Sequence, residues 1–489
     1  MIFSAPRFVV VDDKEQHLQA ITKTFQLLGS PCLGVRYDGT EELKKDLFRG
    51  VRCLFMDIHL IDGVASTDHR RHFANIAAIL EDNISESGGP FILVVWTAHP
   101  DLEGELRDYL DQHLDAEKPH ARPLSVLGLA KEKFIDIDSG DIGSPEELRQ
   151  AVQQTVMSNP QLAALFGWEA GVLAAAADTL ASLLNLVPGD QRTSTAFPPA
   201  LDTLLSRLVR ETVGRSHVDA NPRVAISMAL APILSDRILN QDVAAEIQDI
   251  WKKAVTRHVD RNLEAASSSE AGEINRMLHL ALPGSETLRA TDWGAVVSWP
   301  FAWTDDELKR LTGLTIKQML CEEFRVRSEA INACKPVLIR VGAACDYAQN
   351  NRGPITFLFG VDIPENAERQ KDSRAERIEK VRAELAKLGA DNKDEKLTGL
   401  AGDLAKATTT SDGRIKLTDA IWKSPVFLMP GATEVSRLHV HIRFPQTHLP
   451  EDCAQWNVTS RLREQLLMHL ISVASNHVAR PGIVQLPVE

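Results

Sequence analysis

The chain has 489 residues, 44% of them hydrophobic, and a formal net charge of −13. A chain of this size and composition can bury large cores, and we expect two to four domains. The acidic excess lies almost entirely in residues 1–300. This distribution argues against general binding to nucleic-acid backbones, because such binding needs a basic face.

Membrane insertion and secretion are both disfavoured by the sequence. The most apolar stretch, residues 162–187, is interrupted by Glu169 and Asp178, so we expect a buried or partner-facing helix there rather than a membrane span. The N-terminus has neither a basic region nor a cleavage site, and the six cysteines are scattered without a CxxC pair. We therefore expect a cytoplasmic protein with reduced thiols.

Five short apolar runs alternate with amphipathic stretches in residues 1–155. The runs are RFVVV (7–11), SPCLGVRY (30–37), RCLFM (52–56), FILVVW (91–96) and SVLGLA (125–130). The three strongest are continuous and β-branched, which is typical of parallel strands covered by helices on both faces. The pattern predicts a five-stranded, doubly wound, parallel α/β domain of the flavodoxin-like type.

The rest of the chain has two different patterns. Residues 156–300 are rich in alanine and leucine with helical spacing, which predicts a helical connector or dimerisation domain. From about residue 335 the segments are short, β-prone and interrupted by glycine and proline, accompanied by a charged helix at 366–389. We expect residues 301–489 to form an α+β, β-rich and barrel-like output domain, and the helical region to mediate a homodimer or partner contact.

Polar side chains follow four of the five predicted strands in the first domain. Asp12 and Asp13 end the first strand, Asp57 the third, Thr97 the fourth and Lys131 the fifth. Functional groups gather beyond the carboxyl ends of strands in a doubly wound sheet, so we expect these five side chains to share one rim.

These residue types fit phosphoryl transfer. Three close carboxylates repel one another unless a divalent cation neutralises them, and an all-oxygen site suits Mg²⁺. An aspartate beside that cation can attack phosphorus and become an aspartyl phosphate. A lysine would pair with one phosphoryl oxygen, and a threonine hydroxyl would donate to another.

At these five positions the sequence resembles the receiver domain of two-component response regulators, over about residues 5–150. The resemblance implies that Asp12 and Asp13 are the acidic pair that binds Mg²⁺ together with Asp57. It implies that Asp57 is the phospho-acceptor, Thr97 the switch hydroxyl and Lys131 the paired lysine. It also implies a partner histidine kinase or phosphotransfer protein, and a C-terminal output that phosphorylation controls.

The sequence also departs from the pattern of that family. Glu132 stands where a proline usually follows the lysine, and Gly128 stands where an aromatic residue usually precedes it by three positions. The spacings from Asp57 to Thr97 and from Thr97 to Lys131 are long. We therefore expect intact phosphorylation chemistry but a different route from the phosphate to the output surface.

Other interpretations stay open at this stage. The rim acids could hold only a structural cation, or nothing. The C-terminal domain could be an effector enzyme, either a nuclease or a cysteine hydrolase using Cys345 with His441 or His477. The protein could also be a transcriptional regulator. An unusual receiver with an unfamiliar output also fits a bacterial phage-defence system.

The segment LHVHIRF offers two histidines, His439 and His441, on one strand face. Because alternate residues point to opposite faces, the apolar residues between them would form the buried face. We therefore expect both histidines to be exposed polar positions rather than metal ligands.

Overall fold

A computed structural model describes residues 7–27, 31–39, 42–61, 68–86, 88–136, 143–157, 159–192, 195–242, 245–343, 347, 353–368 and 420–478. The chain divides into two compact units. Unit 1 comprises Met1–Leu173 and Gln241–Val259, and unit 2 comprises Ala174–Asn240 and Asp260–Glu489. The division into three domains at residues 155 and 300 stays a prediction.

The described part of unit 1 contains a five-stranded sheet with the order β2-β1-β3-β4-β5. Its strands are β1 (Phe8–Asp12), β2 (Cys32–Arg36), β3 (Cys53–Met56), β4 (Ile92–Thr97) and β5 (Val126–Ala130). All neighbouring strands are parallel. This is the strand order of flavodoxin-like folds, and it confirms the predicted parallel α/β architecture.

Helices cover both faces of this sheet. They are α1 (Glu15–Leu27), α2 (His69–Asn83), α3 (Glu103–His113), α4 (Pro145–Met157) and the first part of α5 (Pro160–Leu184). Unit 1 also contains α9 (Ala245–Ala254). Alternate residues of β1 enter two separate cores, with Val9 and Val11 in one and Val10 in the other. Between β2 and β3 the described residues form a 3₁₀ turn, Lys45–Leu47, instead of a helix.

Helix α5 is fixed to unit 1 by one carboxylate. Arg52 binds Glu169 in a bidentate manner, with both nitrogen–oxygen distances at 2.7 Å, and Arg7 Nη1 lies 2.6 Å from the same side chain. The guanidinium of Arg52, and after it that of Arg7, holds the pKa of Glu169 below its usual range. The charge that interrupts this apolar helix therefore has a structural role.

By length and composition α5 would also be able to cross a membrane. Its most apolar window has a mean hydropathy of 1.2, and 22% of that window is buried within the structure. One helix of this kind is weak evidence for a membrane span, because core helices of soluble proteins have the same composition. The presence of this helix is therefore compatible with a mainly soluble protein.

The helices of unit 2 between residues 197 and 239 form a small bundle. They are α6 (Phe197–Val213), α7 (Arg215–Ala220) and α8 (Pro222–Leu239). Val209 and Val213 of α6 pack against Ala225 and Ala229 of α8 in a compact core. Asn221 caps α8 by accepting a hydrogen bond from the Val224 amide at 3.2 Å.

The described part of unit 2 also contains a seven-stranded sheet in the order β10-β11-β9-β8-β7-β12-β6, antiparallel throughout. Its strands are β6 (Leu280–Ala281), β7 (Ala295–Ser298), β8 (Lys335–Val341), β9 (Ile355–Pro364), β10 (Ile421–Phe427), β11 (Ser436–His448) and β12 (Val458–Leu462). The helices that accompany it are α10 (Ser268–His279), α11 (Asp305–Thr312), α12 (Pro450–Cys453) and α13 (Glu464–Val478). The sheet is a half-barrel, as the β-rich pattern predicts in outline.

The prediction of exposed histidines on β11 is wrong. His439 is fully buried and His441 is 1% exposed. Alternation does place the intervening Val440 on the opposite face, where it packs near α13. The histidine face is buried as well, because Phe324 packs within 6.3 Å of both imidazole rings.

Each buried histidine faces a carboxylate. His439 Nε2 lies 3.7 Å from Glu368, and His441 Nε2 lies 3.5 Å from Glu323. Burial lowers the pKa of His439, and the Glu368 carboxylate offsets this only in part. The folded protein therefore favours the neutral form of His439.

The contacts of Glu169 predict a loss of stability when its charge is removed. Glu169→Gln should lower the free energy of unfolding by about 1–3 kcal/mol, because two guanidinium groups lose their charge-assisted partner. Asp249→Asn is the matched control, since it breaks an exposed pair with Lys253 and should leave stability nearly unchanged. Equal effects of the two changes in denaturant unfolding would contradict this account.

The burial of His439 predicts a pH-dependent stability. An unfolded histidine takes up a proton near its ordinary pKa of about 6.5, whereas the folded protein resists this, so stability should fall as the pH drops below that value. Denaturant midpoints measured from pH 7.5 to pH 5 should decrease less in His439→Asn than in the unchanged protein. A parallel decrease in both proteins would show that His439 does not cause the effect.

Candidate functional site

All five rim residues lie at or directly after the carboxyl end of a strand in unit 1. Asp12 ends β1, and Asp57 follows β3 with its amide bonded to the Val11 carbonyl at 3.1 Å. Thr97 ends β4 opposite Ala130, and Lys131 begins the 3₁₀ turn that follows β5. Asp13 follows Asp12, so the predicted convergence on a single rim is present in the structure.

A buried ammonium group joins two of the carboxylates. Lys131 Nζ lies 2.6 Å from Asp12 Oδ2 and 2.6 Å from Asp57 Oδ2. Asp12 is fully buried, Lys131 is 2% exposed and Asp57 is 8% exposed. Charges buried to this degree need partners, and here each carboxylate has a cation within hydrogen-bonding distance.

The three carboxylates fit a hard divalent cation. Asp12, Asp13 and Asp57 each offer an oxygen within 4.8 Å of the others. Asp13 Oδ1 is buried and has no hydrogen-bond partner among the described residues. An orphaned carboxylate oxygen in an all-oxygen donor set is the chemistry that Mg²⁺ prefers. These side chains would therefore be able to hold such a cation, and the donor set alone does not identify which one.

The two adjacent aspartates differ in acidity. Burial, with the neighbouring charges of Asp12 and Asp57, raises the pKa of Asp13 to about 6. Burial also opposes ionisation of Asp12, but the Lys131 ammonium and the Lys14 amide hold its pKa below the ordinary value. The repulsion between the two carboxylates therefore raises the pKa of Asp13 rather than that of Asp12, because Asp13 has no ammonium partner of its own among the described contacts.

Backbone amides fix the other oxygens of the rim. Asp12 Oδ1 accepts a hydrogen bond from the Lys14 amide at 3.0 Å, and Asp57 Oδ1 accepts one from the His59 amide at 3.4 Å. Thr97 is fully buried, and its Oγ1 accepts a hydrogen bond from the His99 amide at 3.2 Å. The Thr97 hydroxyl proton remains able to donate.

The backbone at Gly128 is bonded by a side chain from α3. Gly128 lies on the edge strand β5 and donates its backbone N–H to Glu103 Oε2 at 2.9 Å. Glu103 is the first residue of α3, which follows the loop after Thr97. A carboxylate from α3 thus bonds the backbone of β5 at this position.

Four histidines near the rim were missed by sequence reasoning. His59 follows Asp57 by two residues, and its ring lies 4.6 Å from that of His72 and 5.6 Å from that of His99. His17 lies on α1 and contacts Lys131. Positions 59 and 99 follow rim residues by two places in the chain, and this regularity was the available signal. His17 had no comparable signal.

The structure does not test the residues proposed for an effector enzyme. Cys345 lies outside the described residues. His441 faces Glu323, and His477 Nε2 accepts a hydrogen bond from Arg443 Nε at 3.2 Å. The hydrolase, nuclease and transcriptional alternatives stay predictions.

Comparisons of the chain with protein-family models, with curated proteins and with solved structures found no match. The parallel five-stranded sheet and the clustered carboxylates of Asp12, Asp13 and Asp57 are compatible with a receiver domain.

The raised pKa of Asp13 predicts that this carboxylate destabilises the metal-free fold. The unfolded chain loses the Asp13 proton near pH 3.8, whereas the folded protein keeps it to about pH 6, so the penalty grows over this window and is complete above it. In chelator at pH 7.5, Asp13→Asn should raise the free energy of unfolding by on the order of 1 kcal/mol. Near pH 4 the difference should vanish.

The same variant tests cation binding. Mg²⁺ should raise the melting temperature of the unchanged protein but not that of Asp13→Asn, because a cation that binds only the folded state stabilises it. Asp101→Asn, an exposed position outside the cluster, is the control and should respond to Mg²⁺ as the unchanged protein does. A less stable Asp13→Asn protein at pH 7.5 without metal would contradict the assignment.

Proposed function

We propose that this protein is a signalling protein of the two-component response-regulator type, in which Asp57 accepts a phosphoryl group. The proposal rests on one observation above the others: Lys131 bridges Asp12 and Asp57 at a buried rim where Asp13 has an unpaired oxygen. A cluster serving stability alone would have no need of a third carboxylate whose ionisation the fold opposes.

The bond changes in the proposed reaction are simple. An Asp57 carboxylate oxygen attacks the phosphorus of a phosphohistidine or an acyl phosphate, and a phosphorus–oxygen bond forms as the bond to the donor breaks. The electron pair of the broken bond leaves with the donor. Hydrolysis later returns the carboxylate and releases inorganic phosphate.

Each rim residue has a role in that reaction. Lys131 carries the positive charge that balances the charge on the phosphoryl oxygens, and Thr97 donates its hydroxyl to one of them. Asp12 and Asp13, with Asp57, would hold Mg²⁺. When bound, Mg²⁺ supplies neutralisation of the phosphoryl charge. The protein's own contribution is to keep these groups at fixed positions on strand ends.

The proposed output starts from the loop after Thr97. A change in the partners of Thr97 would move the loop that leads into α3, where Glu103 bonds Gly128 of β5. This surface of unit 1 would then change its affinity for a partner or for a second copy of the chain. A histidine kinase or phosphotransfer protein would supply the phosphoryl group. A cytoplasmic location and a role in phage defence stay predictions from the sequence.

Substitution of the acceptor tests the proposal. Asp57→Asn should abolish labelling by a radioactive small-molecule phosphodonor in the presence of Mg²⁺, because a carboxamide does not form an acyl phosphate. Lys131→Met should slow labelling by roughly 100-fold, since one positive charge at the phosphoryl oxygens is lost. Chelation of Mg²⁺ should have an effect of similar size.

The matched control is Asp101→Asn, which removes an exposed carboxylate of unit 1 outside the cluster and should leave labelling unchanged. Labelling that persists in Asp57→Asn would place the phosphoryl group elsewhere and refute the proposal.

A further inference from the structure

The rim has a contact that its acidic cluster does not require. His17 is the third residue of α1 and is 2% exposed. Its Nδ1 lies 3.2 Å from Lys131 Nζ and 3.5 Å from Asp12 Oδ1. Its Nε2 is buried with no hydrogen-bond partner among the described residues.

The chemistry of the ammonium group fixes the role of the imidazole nitrogen. An ammonium group has three N–H donors and no acceptor. Asp12 and Asp57 accept two of these hydrogen bonds, and His17 Nδ1 is the third polar atom within reach. Nδ1 therefore accepts from Lys131, and the ring proton lies on Nε2. If Nδ1 carried the proton instead, its N–H could donate to Asp12 Oδ1 at 3.5 Å. The same N–H would then face the Lys131 ammonium at the shorter distance of 3.2 Å, and two donors would oppose each other.

We infer that His17 is a positioning residue that holds the Lys131 ammonium at the phospho-acceptor. The inference deepens the proposed function and rests on it for its kinetic consequence. During phosphoryl transfer the attacking Asp57 carboxylate loses negative charge to the new bond with phosphorus, so its ion pair with Lys131 weakens. The bond from Lys131 to His17 does not involve the reacting atoms and keeps the ammonium in place.

The burial pattern of α1 separates this role from simple core packing. The buried face of α1 otherwise carries Leu18, Ile21 and Phe25, which pack in the core beneath the sheet. An apolar side chain at position 17 would extend that face without burying a polar ring. Burial of an imidazole is costly, and the polar partner that its Nδ1 finds here is Lys131.

The test compares two substitutions at position 17. His17→Asn keeps an acceptor, since its Oδ1 is as many bonds from the backbone as the imidazole Nδ1. His17→Leu keeps a buried side chain but has no acceptor. With the small phosphodonor at saturating Mg²⁺, His17→Leu should lower the maximal labelling rate by roughly tenfold, because the ammonium is less well placed. His17→Asn should stay within about threefold of the unchanged protein, and the donor concentration for half-maximal rate should change little in either.

A second measurement does not depend on phosphorylation. Trace acetylation of the full-length protein by acetic anhydride, read by peptide mass spectrometry, reports how well the Lys131 amine is held. The Lys131 peptide should be modified several-fold faster in His17→Leu, and at the unchanged rate in His17→Asn. Thr24→Val is the control for general loosening of α1, because Thr24 is buried on the same face and bonds only the Ala20 carbonyl among the described contacts. It should alter neither readout.

The outcomes distinguish this inference from the proposed function. If the unchanged protein is not labelled at all, the proposed function fails, and the acetylation of Lys131 still decides the role of His17. If the unchanged protein is labelled and His17→Leu matches it in both readouts, the inference is overturned and the proposed function stands. If His17→Asn is as impaired as His17→Leu, the acceptor is irrelevant and the inference is also overturned. Should His17→Leu fail to fold, His17→Ala replaces it, because it also removes the acceptor, and the same two readouts apply.

Discussion

The site depends on one buried ammonium group between two carboxylates. Lys131 Nζ lies 2.6 Å from oxygens of both Asp12 and Asp57, and none of the three residues is more than 8% exposed. Without the ammonium, two carboxylates would be buried beside each other, and the fold would oppose the ionisation of both. With the ammonium in place, the remaining repulsion acts on the third carboxylate, that of Asp13, whose pKa is raised to about 6. A divalent cation held by the three carboxylates would relieve that residual repulsion.

The sheet brings these groups together through its strand order. Because β1 is hydrogen-bonded between β2 and β3, Asp12 and Asp57 lie at the carboxyl ends of adjacent parallel strands and meet at the same end of the sheet. Lys131 comes from the far edge strand, and the 3₁₀ turn after β5 starts at this residue. Thr97 occupies the strand between them. The geometry thus follows from parallel pairing, which places every carboxyl end on the same side.

Much of unit 1 could be predicted from its sequence. The five short apolar runs place the five strands to within one or two residues, and the residues at their ends define the rim. The connection between β2 and β3 could not be predicted in this way, since the expected alternation of strand and helix gives way to a 3₁₀ turn. His17 was missed because nothing in the local pattern of α1 shows that its third residue faces the end of β5.

Unit 2 shows a different limit. The β-prone segments were recognisable, but the insertion of β12 between β6 and β7 joins residues that are far apart in the chain, and no local pattern encodes it. The alternation in β11 was correct, yet it implied exposure for His439 only under the assumption that one face meets water. Phe324 and Glu368 cover that face. Periodicity assigns side chains to faces, and packing from distant segments decides which faces are buried.

The most direct test of the central claim is to locate the phosphoryl group chemically. Borohydride converts an aspartyl phosphate to homoserine, and peptide mass spectrometry then identifies the modified residue. After incubation with a phosphodonor and Mg²⁺, homoserine should be found at position 57. Homoserine at another aspartate, or a phosphoryl group that survives on serine, threonine or histidine while residue 57 stays aspartate, would contradict the account.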